Sequence, residues 1–353
     1  MALRERLVGQ IAATGPLNLA QYMTICLHDP QAGYYATRPS LGAAGDFLTA
    51  PLVSQMFGEL IGLWVVACWQ AMGQPSRFRL VEMGPGDGTL MVDLLRAGQT
   101  IPGFVAAADL WLVEVSEPLK AVQGARLASA APQWADTLDS VPDGAPLILV
   151  ANELLDCLPA QQFIRTERGW AERMVGLDDQ GNLVFGLSGS LPPEAWPGPV
   201  GAVVETSPAQ AALGSQIGAR LTADGGVALL IDYGPAPEDA GGDTFQALKG
   251  HRKVDPLACP GEADLTFHAD FKAVARAAEA EGAHARPLLT QAEFLRRLGI
   301  ETRASRLAQA RPDLAQQIGR QFDRLTAQDQ MGTLFKVLAL HGQGFIPPAF
   351  ETP

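Results

Sequence analysis

The sequence predicts an α/β fold built on a doubly wound, mostly parallel sheet. From Phe78 onward, short apolar runs alternate with helical segments, which is the rhythm of strand–helix–strand units. Polar or glycine residues follow each apolar run, and ligands bind at the carboxyl ends of the strands in such sheets. The expected strands are 78–83, 110–115, 147–151 and 227–232, and the expected helices are 88–97, 117–128 and 208–222.

A mainly helical region precedes this sheet. Leu3, Leu7 and Ile11 recur at helical spacing, as do the apolar residues within 57–64. Pro75 ends the helical pattern just before the first predicted strand. We therefore expect residues 1–76 to form an N-terminal helical region.

The rhythm is interrupted after the third apolar run and changes again towards the C-terminus. Alternating runs on either side of the turn residues 178–182 predict an inserted antiparallel ribbon at about 161–187. The Pro- and Gly-rich stretch 191–201 predicts a linker, and 333–340 indicates a late, antiparallel strand in an otherwise helical C-terminal region. The expected divisions are 1–76, 77–250 with the ribbon inside it, and 251–353.

Composition excludes several classes of protein. With 47% hydrophobic and 18% charged residues in 353, the chain has the composition of a globular protein. A net charge of -12 argues against a nucleic-acid partner, which needs clustered Lys and Arg. The 4 cysteines are scattered, and the spacing of Cys and His residues predicts no metal site. No signal peptide or membrane-inserted segment is expected, and the predicted location is cytoplasmic.

Three glycines at every second position follow the first predicted strand, in the pattern Glu82-x-Gly84-x-Gly86-x-Gly88. Without Cβ atoms, this backbone can lie directly against a ligand. The spacing differs from the Gly-x-Gly-x-x-Gly of dinucleotide-binding sites and resembles the first motif of S-adenosylmethionine-dependent methyltransferases. Glu114, at the end of the next strand, could accept both hydroxyls of a ribose. Together they predict an adenosine-containing cofactor; the alternative is a glycine-rich turn with an exposed glutamate nearby.

Further residues are candidates for the same cofactor site. Asp136 follows Trp134 where an acid could approach an adenine amino group, although a surface acid is an equally good interpretation. The glycine-rich segment 42–51 is expected to fold over the cofactor as a lid. The full set of candidate cofactor residues is Glu82, Gly84, Pro85, Gly86, Gly88, Thr89, Glu114, Val115, Asp136, Asn152, Asp46 and Thr49.

Two other strand ends supply candidates for catalysis. Asn152 and Glu153 follow the strand 147–151, where an amide and a carboxylate could orient a nitrogen nucleophile. Alternatively, Asn152 and Asp156 cap a following helix. Asp232 could reach the substrate or bond backbone amides in its own turn. The candidate catalytic residues are Glu153, Asn152, Asp156 and Asp232.

A second polar cluster precedes the C-terminal region. Asp264, Thr266, His268 and Asp270 lie at alternating positions. A lone histidine such as His268 is more often a structural residue than a base, so this cluster is not included among the candidate catalytic residues.

These motifs resemble the MidA family of S-adenosylmethionine-dependent methyltransferases, whose mitochondrial members are assembly factors for respiratory complex I. The chain departs from that family's pattern at Leu155 and Cys157, which affects only the shape of the pocket. The matching segments run nearly end to end: 21–23, 28–30, 33–35, 45–51, 57–60, 80–95, 113–116, 151–159, 232–234, 251–252 and 260–266.

The resemblance implies a class I methyltransferase (Rossmann-like) fold with S-adenosyl-L-methionine as its cofactor. By analogy, it implies N-methylation of an arginine on a protein substrate, a complex I subunit, and a homodimer is compatible with it. Alternatives are a cofactor-binding assembly chaperone with little turnover, or a methyltransferase for another protein or a small molecule. The glycine spacing disfavours a nicotinamide-dependent oxidoreductase.

Overall fold

The computed structural model describes residues 2–37, 49–191, 196–235 and 242–351. Its strands are β1 (Leu17–Asn18), β2 (Phe78–Met83), β3 (Ala108–Val113), β4 (Gln133–Ala135), β5 (Leu147–Asn152), β6 (Gln161–Thr166), β7 (Gly169–Leu177), β8 (Leu183–Leu191), β9 (Val203–Thr206), β10 (Gly226–Tyr233), β11 (Gln246–Lys249), β12 (Arg252–Val254), β13 (Asp264–Thr266), β14 (His284–Ala285), β15 (Leu289–Thr290) and β16 (Phe335–His341).

The helices alternate with these strands. They are α1 (Leu3–Thr14), α2 (Leu19–His28), α3 (Tyr34–Thr37), α4 (Ala50–Val53), α5 (Gln55–Ala71), α6 (Thr89–Gly98), α7 (Phe104–Ala107), α8 (Glu117–Arg126), α9 (Pro208–Asp224), α10 (Phe271–Ala280), α11 (Gln291–Arg297), α12 (Ile300–Ala310), α13 (Ala315–Thr326) and α14 (Met331–Leu334).

The central sheet has, among the described residues, eight strands in the order β14-β16-β10-β5-β2-β3-β4, with β15 also paired to β16. Five neighbouring strands of this sheet run parallel to one another, in the spatial order β4, β3, β2, β5 and β10. β16 pairs antiparallel with β10 from Val227↔His341 to Tyr233↔Phe335, as the sequence predicted for the late strand. β2 is buried along its whole length, as expected for a central strand covered on both faces.

Helices cover both faces of this sheet. Alternate residues of each strand point to opposite sides, so each strand contributes to two cores. Leu80 and Ile148 face a core that includes Phe57 and Trp64 of α5. Val81 and Leu149, one residue further along the same strands, face the core built with α9 and α10. The predicted doubly wound arrangement is confirmed. α5 belongs to the core of this sheet, whereas the buried residues of α1 and α2 lie in a third core cluster away from it.

The predicted ribbon is part of a larger antiparallel sheet. β6, β7 and β8 are the expected runs, and β1 and β9 extend them into a five-stranded sheet of described residues. β1 pairs with β7 through Leu17↔Val175 and Asn18↔Met174, which joins the N-terminal region to the insertion. Residues 192–195 of the predicted linker 191–201 lie outside the described residues.

The C-terminal region is less helical than predicted. β11, β12 and β13 form a three-stranded antiparallel sheet that crosses the expected boundary at 250. β14 and β15 add short pairings along β16. The expectation that everything after 250 except 333–340 is helical is therefore wrong. No helix in the described part of the chain is long and apolar enough to cross a bilayer.

Candidate active site

A cavity of about 500 Å³ opens at the carboxyl ends of β2, β3 and β5. The strand β3 follows β2 in the chain and pairs with one side of it, whereas the later strand β5 pairs with the other side. The order of the strands therefore reverses at β2. Ligands bind at such reversals in open α/β sheets because the connecting loops diverge there. Residues of α3, α4 and α9 close the remaining sides.

The glycine loop forms the floor of the cavity. Gly84, Gly86 and Gly88 have φ values of 63, 54 and 82°, in the left-handed region that glycine adopts without strain. Gly84 and Gly86 line the cavity together with Pro85 and Thr89. Gly88 instead serves as the N-cap of α6, and its backbone N–H donates to the carbonyl oxygen of Pro85 at 2.8 Å.

Glu114 lies on the wall beside this loop, directly after β3. The side chain is buried, with its Oε1 accepting from the Ser116 backbone N–H at 2.8 Å and its Oε2 from Gln123 Nε2 at 3.1 Å. Burial raises the pKa of Glu114, and these two hydrogen bonds act in the opposite direction. Val115, the next residue, lines the cavity and is 58% exposed.

Glu82 and Asp136 are two further acids on the wall, in contrasting surroundings. Glu82 is buried, its Oε2 has no hydrogen-bond partner, and burial followed by the charge of Asp87 raises its pKa well above the usual range. Asp136 is largely exposed and pairs with Lys120 at 2.9 Å. A buried carboxyl oxygen without a partner is costly unless a ligand satisfies it.

Described residues of α2, α3 and the start of α4 close the cavity from the N-terminal side. His28, Tyr35 and Thr49 line it. The Tyr35 carbonyl oxygen accepts from Ser116 Oγ at 2.9 Å, which ties α3 to the residues after β3. Asp46 and most of the predicted lid 42–51 lie outside the described residues.

Glu153 and Asn152 occupy the end of β5, on the opposite wall. Glu153 has a φ of 54°, which is uncommon for a residue with a side chain. Its Oε1 accepts from the Ala50 backbone N–H and from Asn152 Nδ2, both at 3.0 Å. Burial, followed by the charge of Asp156, raises the pKa of Glu153 to about 7, against these hydrogen bonds. The buried Oδ1 of Asn152 has no partner.

Asp156 and Asp232 lie behind this wall and do not line the cavity. Asp232 Oδ2 accepts from the backbone N–H groups of Leu155 and Asp156 at 2.7 and 3.2 Å, and Oδ1 accepts from Tyr233 N at 2.8 Å. Burial raises the pKa of Asp156 to about 6, opposed by a hydrogen bond with Tyr233. Asp232 holds backbone amides, which agrees with the second interpretation that the sequence left open for it. A role of Asp156 and Asp232 towards the substrate stays a prediction. The interpretation of Asn152 and Asp156 as caps of a following helix is wrong, since β6 and not a helix follows β5.

The second polar cluster has structural partners. Asp264 accepts from the Tyr35 hydroxyl at 2.7 Å, and the Asp270 side chain caps α10 by accepting from Ala273 N at 2.9 Å. The His268 ring packs edge-on against Tyr233, 5.6 Å away, and does not line the cavity. Its position agrees with the structural interpretation of this histidine.

Comparisons with known proteins bear on this site. Residues 60–288 match the model of a family of S-adenosyl-L-methionine-dependent methyltransferases. The chain is 36% identical to "Protein arginine methyltransferase NDUFAF7 homolog, mitochondrial" of Drosophila melanogaster, over 96% of this chain and 84% of that protein. It is 35% identical to the NDUFAF7 protein arginine methyltransferase of Homo sapiens, over 95% of this chain and 82% of that protein.

A solved structure agrees with these matches. A Burkholderia thailandensis protein, crystallised with S-adenosyl-homocysteine, superposes with a TM-score of 0.85 at 29% identity and covers 99% of this chain and 92% of its own. The chain belongs to this family of S-adenosyl-L-methionine-dependent methyltransferases. The class I methyltransferase fold and the methyl donor expected from the sequence are thereby confirmed.

The residues on the cavity wall of this methyltransferase suit the chemical groups of its cofactor. A ribose presents hydroxyl donors, which a buried carboxylate such as Glu114 can accept. The methionine part is cationic at its amino group and its sulfur, and Glu82 offers a buried carboxyl oxygen without a partner. The left-handed glycines leave the floor free of side chains at Gly84 and Gly86. A volume of about 500 Å³ lies within the range of small-molecule sites.

Sequence reasoning missed many residues of this methyltransferase site, among them His28, Tyr35 and Gln123. His28 and Tyr35 line the cavity; they lie in segments 28–30 and 33–35 of the family resemblance but are not among the candidate cofactor residues. Gln123 is completely buried on α8 and bonds to two segments of the cavity wall. No sequence motif includes Gln123. It lies four residues after the buried Leu119, and this helical spacing predicts only that both residues are on the inner face of α8.

Proposed function

We propose that this methyltransferase transfers a methyl group from S-adenosyl-L-methionine to an arginine nitrogen of a protein substrate, with S-adenosyl-homocysteine as the leaving group and one proton released from that nitrogen. The observation that supports the acceptor is the pair of relatives, 35 and 36% identical over nearly the whole chain, that are named protein arginine methyltransferases. The finer proposal, following the family resemblance, is that the substrate is a subunit of respiratory complex I.

At the cofactor end, we assign a role to each segment of the wall. Glu114 accepts the ribose hydroxyls with the lone pairs that Ser116 and Gln123 leave free. The glycine loop supports the methionine part, and Glu82 faces its ammonium group. Asp136 and Val115 border the adenine, and Thr49 closes the N-terminal side.

At the acceptor end, Glu153 binds the substrate guanidinium. When bound, S-adenosyl-L-methionine supplies a methyl group already activated by its positive sulfur. Arginine keeps its proton at any ordinary pH because its pKa is very high, so it needs orientation and a partner for its charge. Glu153 uses Oε1 for Ala50 and Asn152, and Oε2 is the atom we assign to the guanidinium. Asn152 holds Glu153 in place.

Glu153→Gln tests this assignment. Glutamine preserves the size of the side chain and can still accept from Ala50 and Asn152, but it cannot pair with a cation. We expect methyl incorporation to fall by roughly a hundredfold, because orientation and charge stabilisation at the acceptor are lost. The affinity for S-adenosyl-homocysteine, measured by calorimetry, should stay nearly constant.

The substrate for this assay is complex I from a strain that lacks the protein, with mass spectrometry identifying the modified residue. Glu205→Gln is the matched control, because Glu205 is also a partly buried glutamate of raised pKa but does not line the cavity. Full methylation by Glu153→Gln would exclude Glu153 from the site. Methylation on a residue other than arginine would overturn the proposed acceptor. Normal complex assembly without any methylation would favour the chaperone alternative.

A further inference from the structure

Gln123 has hydrogen-bond partners on three separate segments around the cofactor cavity. It is a residue of α8 with no exposed surface. Its Nε2 donates to the Gly86 carbonyl oxygen at 2.7 Å and to Glu114 Oε2 at 3.1 Å. Its Oε1 accepts from Trp134 Nε1, a residue of β4, at 2.9 Å.

The chemistry of these partners fixes the orientation of the amide. An indole N–H can only donate, and a carbonyl or carboxylate oxygen can only accept, so the two ends of the Gln123 amide cannot be exchanged. Both N–H groups and the oxygen have partners, which satisfies this buried amide completely. Trp134 therefore orients Gln123, although Trp134 itself does not line the cavity.

The two acceptors are the parts of the wall that a cofactor would contact. Gly86 has a φ of 54°, and the bond to its carbonyl oxygen fixes the orientation of the peptide group between Gly86 and Asp87. The bond to Glu114 Oε2 complements the one from Ser116 N to Oε1, so the carboxylate is held at both oxygens. One side chain thus sets the spacing between the glycine loop after β2 and the acid after β3.

We propose that Gln123 is a positioning residue that pre-organises the cofactor cavity by joining the Gly86 carbonyl to the Glu114 carboxylate. Pre-organisation raises affinity because the wall needs no reordering when the ligand binds. The inference rests on the assignment of Glu114 to the ribose hydroxyls made above, so the experiment tests that assignment separately.

Gln123→Met is the first variant, since methionine has nearly the same length but offers no hydrogen bond. We expect it to bind S-adenosyl-homocysteine roughly tenfold more weakly in a calorimetric titration, because two orienting bonds are lost. Gln291→Met is the matched control: Gln291 is also completely buried and donates to the Leu325 carbonyl oxygen at 2.9 Å, but it lies on α11 and does not line the cavity. This control should leave the affinity unchanged.

Trp134→Phe removes the indole N–H that orients Gln123, together with one ring of the indole, and keeps an aromatic side chain in its place. We expect it to weaken binding by a smaller factor, roughly threefold, while the chain stays folded. This variant keeps the inference testable if Gln123→Met does not fold. Because Trp134 is not on the cavity wall, an effect on affinity indicates the Gln123 amide as the route.

The pH dependence of binding separates positioning from a general loss of structure. The hydrogen bond from Gln123 lowers the pKa of Glu114, and the positive charge of Lys120 also lowers it. Without the bond, the protonated form of Glu114 persists to higher pH, so the acid limb of the affinity profile should move to higher pH in Gln123→Met. A structural role alone would lower affinity equally at every pH.

Glu114→Ala completes the design. If it binds S-adenosyl-homocysteine at least about tenfold more weakly while Gln123→Met and Trp134→Phe bind normally, the role of Gln123 is overturned and the cofactor assignment stands. If Glu114→Ala binds normally, the cofactor assignment itself fails. Weaker binding by all three variants, with Gln291→Met unchanged, supports the inference.

Discussion

Glu153 differs from the other acids of the cavity wall in how its side chain is held. Its backbone adopts a left-handed conformation, and one carboxyl oxygen accepts both the Ala50 amide and the Asn152 side chain. A strained residue with a raised pKa in a cleft is a typical feature of a functional site. Its ionisation should therefore be visible in the kinetics of the methyltransferase.

The first prediction is a pH dependence of kcat/KM for the protein substrate. Only ionised Glu153 can pair with a guanidinium, and burial with the nearby Asp156 raises its pKa to about 7. We expect kcat/KM to rise with pH through about 7 and then level off. Initial rates from pH 5.5 to 9 would measure this, and Glu153→Gln should lose the rise. An unchanged profile in that variant would assign the ionisation to another group.

Single residues also show where sequence reasoning reaches its limit. The positions of Gly84, Gly86 and Glu114 on the wall follow from their places after predicted strands. By contrast, the contacts of Asp232 with Leu155 and of Gln123 with Gly86 join residues 77 and 37 positions apart. Such contacts depend on how loops pack against each other, and no local pattern encodes them.

At the scale of elements, two glycines allow α9 and α10 to approach closely. A Cβ added at Gly214 would lie 2.4 Å from the Val274 carbonyl oxygen, and one at Gly218 would lie 2.6 Å from the Ala278 backbone. Contacts this short with backbone atoms cannot be relieved by a side-chain rotation. Ala212 and Leu213, on the same helix, line the cavity. The spacing between these helices therefore also sets the position of one wall of the site.

We predict that Gly214→Ala destabilises the protein by about 1–3 kcal/mol, because the helices must separate to admit the methyl group. Alanine normally improves a helix by up to about 1 kcal/mol over glycine. Gly319→Ala in α13 is the control, since nothing lies within 4 Å of that Cβ, and it should be neutral or stabilising. Urea unfolding measures both, and equal effects at the two sites would contradict the prediction.

The elements differ in how well the sequence predicted them. β2, β5, β10 and β16 are buried apolar runs, and their positions agree with the predictions within two residues. β3 was predicted as 110–115 but ends at Val113, because Glu114 turns back to accept the Ser116 amide. β1 and β13, with two and three residues, are too short to show a periodicity. Their long-range partners define them as strands.

At the scale of the whole molecule, the sheets join the regions that the sequence divides. β1 lies in the predicted N-terminal region and pairs with the ribbon, and β16 lies in the predicted C-terminal region and pairs along seven positions with β10. The division at 76 and 250 remains a prediction about the sequence. Local composition cannot establish this division, because the N-terminal and C-terminal regions each contribute a strand to a sheet that belongs mainly to the middle region.

The interior of the molecule also contains an unusual set of acids. Burial raises the pKa of several of them, and the increase is large for Glu82, Glu153, Asp156 and Asp232. A carboxyl group with a raised pKa holds its proton in the folded chain at a pH where the unfolded chain has released it. The free energy of unfolding therefore falls as pH rises through the folded-state pKa values of these groups.

Three histidines act in the opposite direction, but in a different pH range. Burial lowers the pKa values of His28, His268 and His341, so their contribution to stability rises with pH up to about 6.5 and is constant above it. Between about pH 6.5 and 8, the histidines therefore no longer offset the effect of the buried carboxyl groups.

We predict that the melting temperature of the protein without cofactor falls between pH 6.5 and 8. A loss on the order of 1–2 kcal/mol would lower it by a few degrees. Glu82→Gln should reduce this slope, because the amide imitates the protonated acid and cannot ionise. Asp178→Asn is the control, since hydrogen bonds from Asn182 lower the pKa of Asp178, so it stays ionised throughout this window. Scanning calorimetry at four pH values would measure all three proteins. A melting temperature that rises from pH 6.5 to 8, or an equal slope in Glu82→Gln, would show that these carboxyl groups are already ionised in the folded chain.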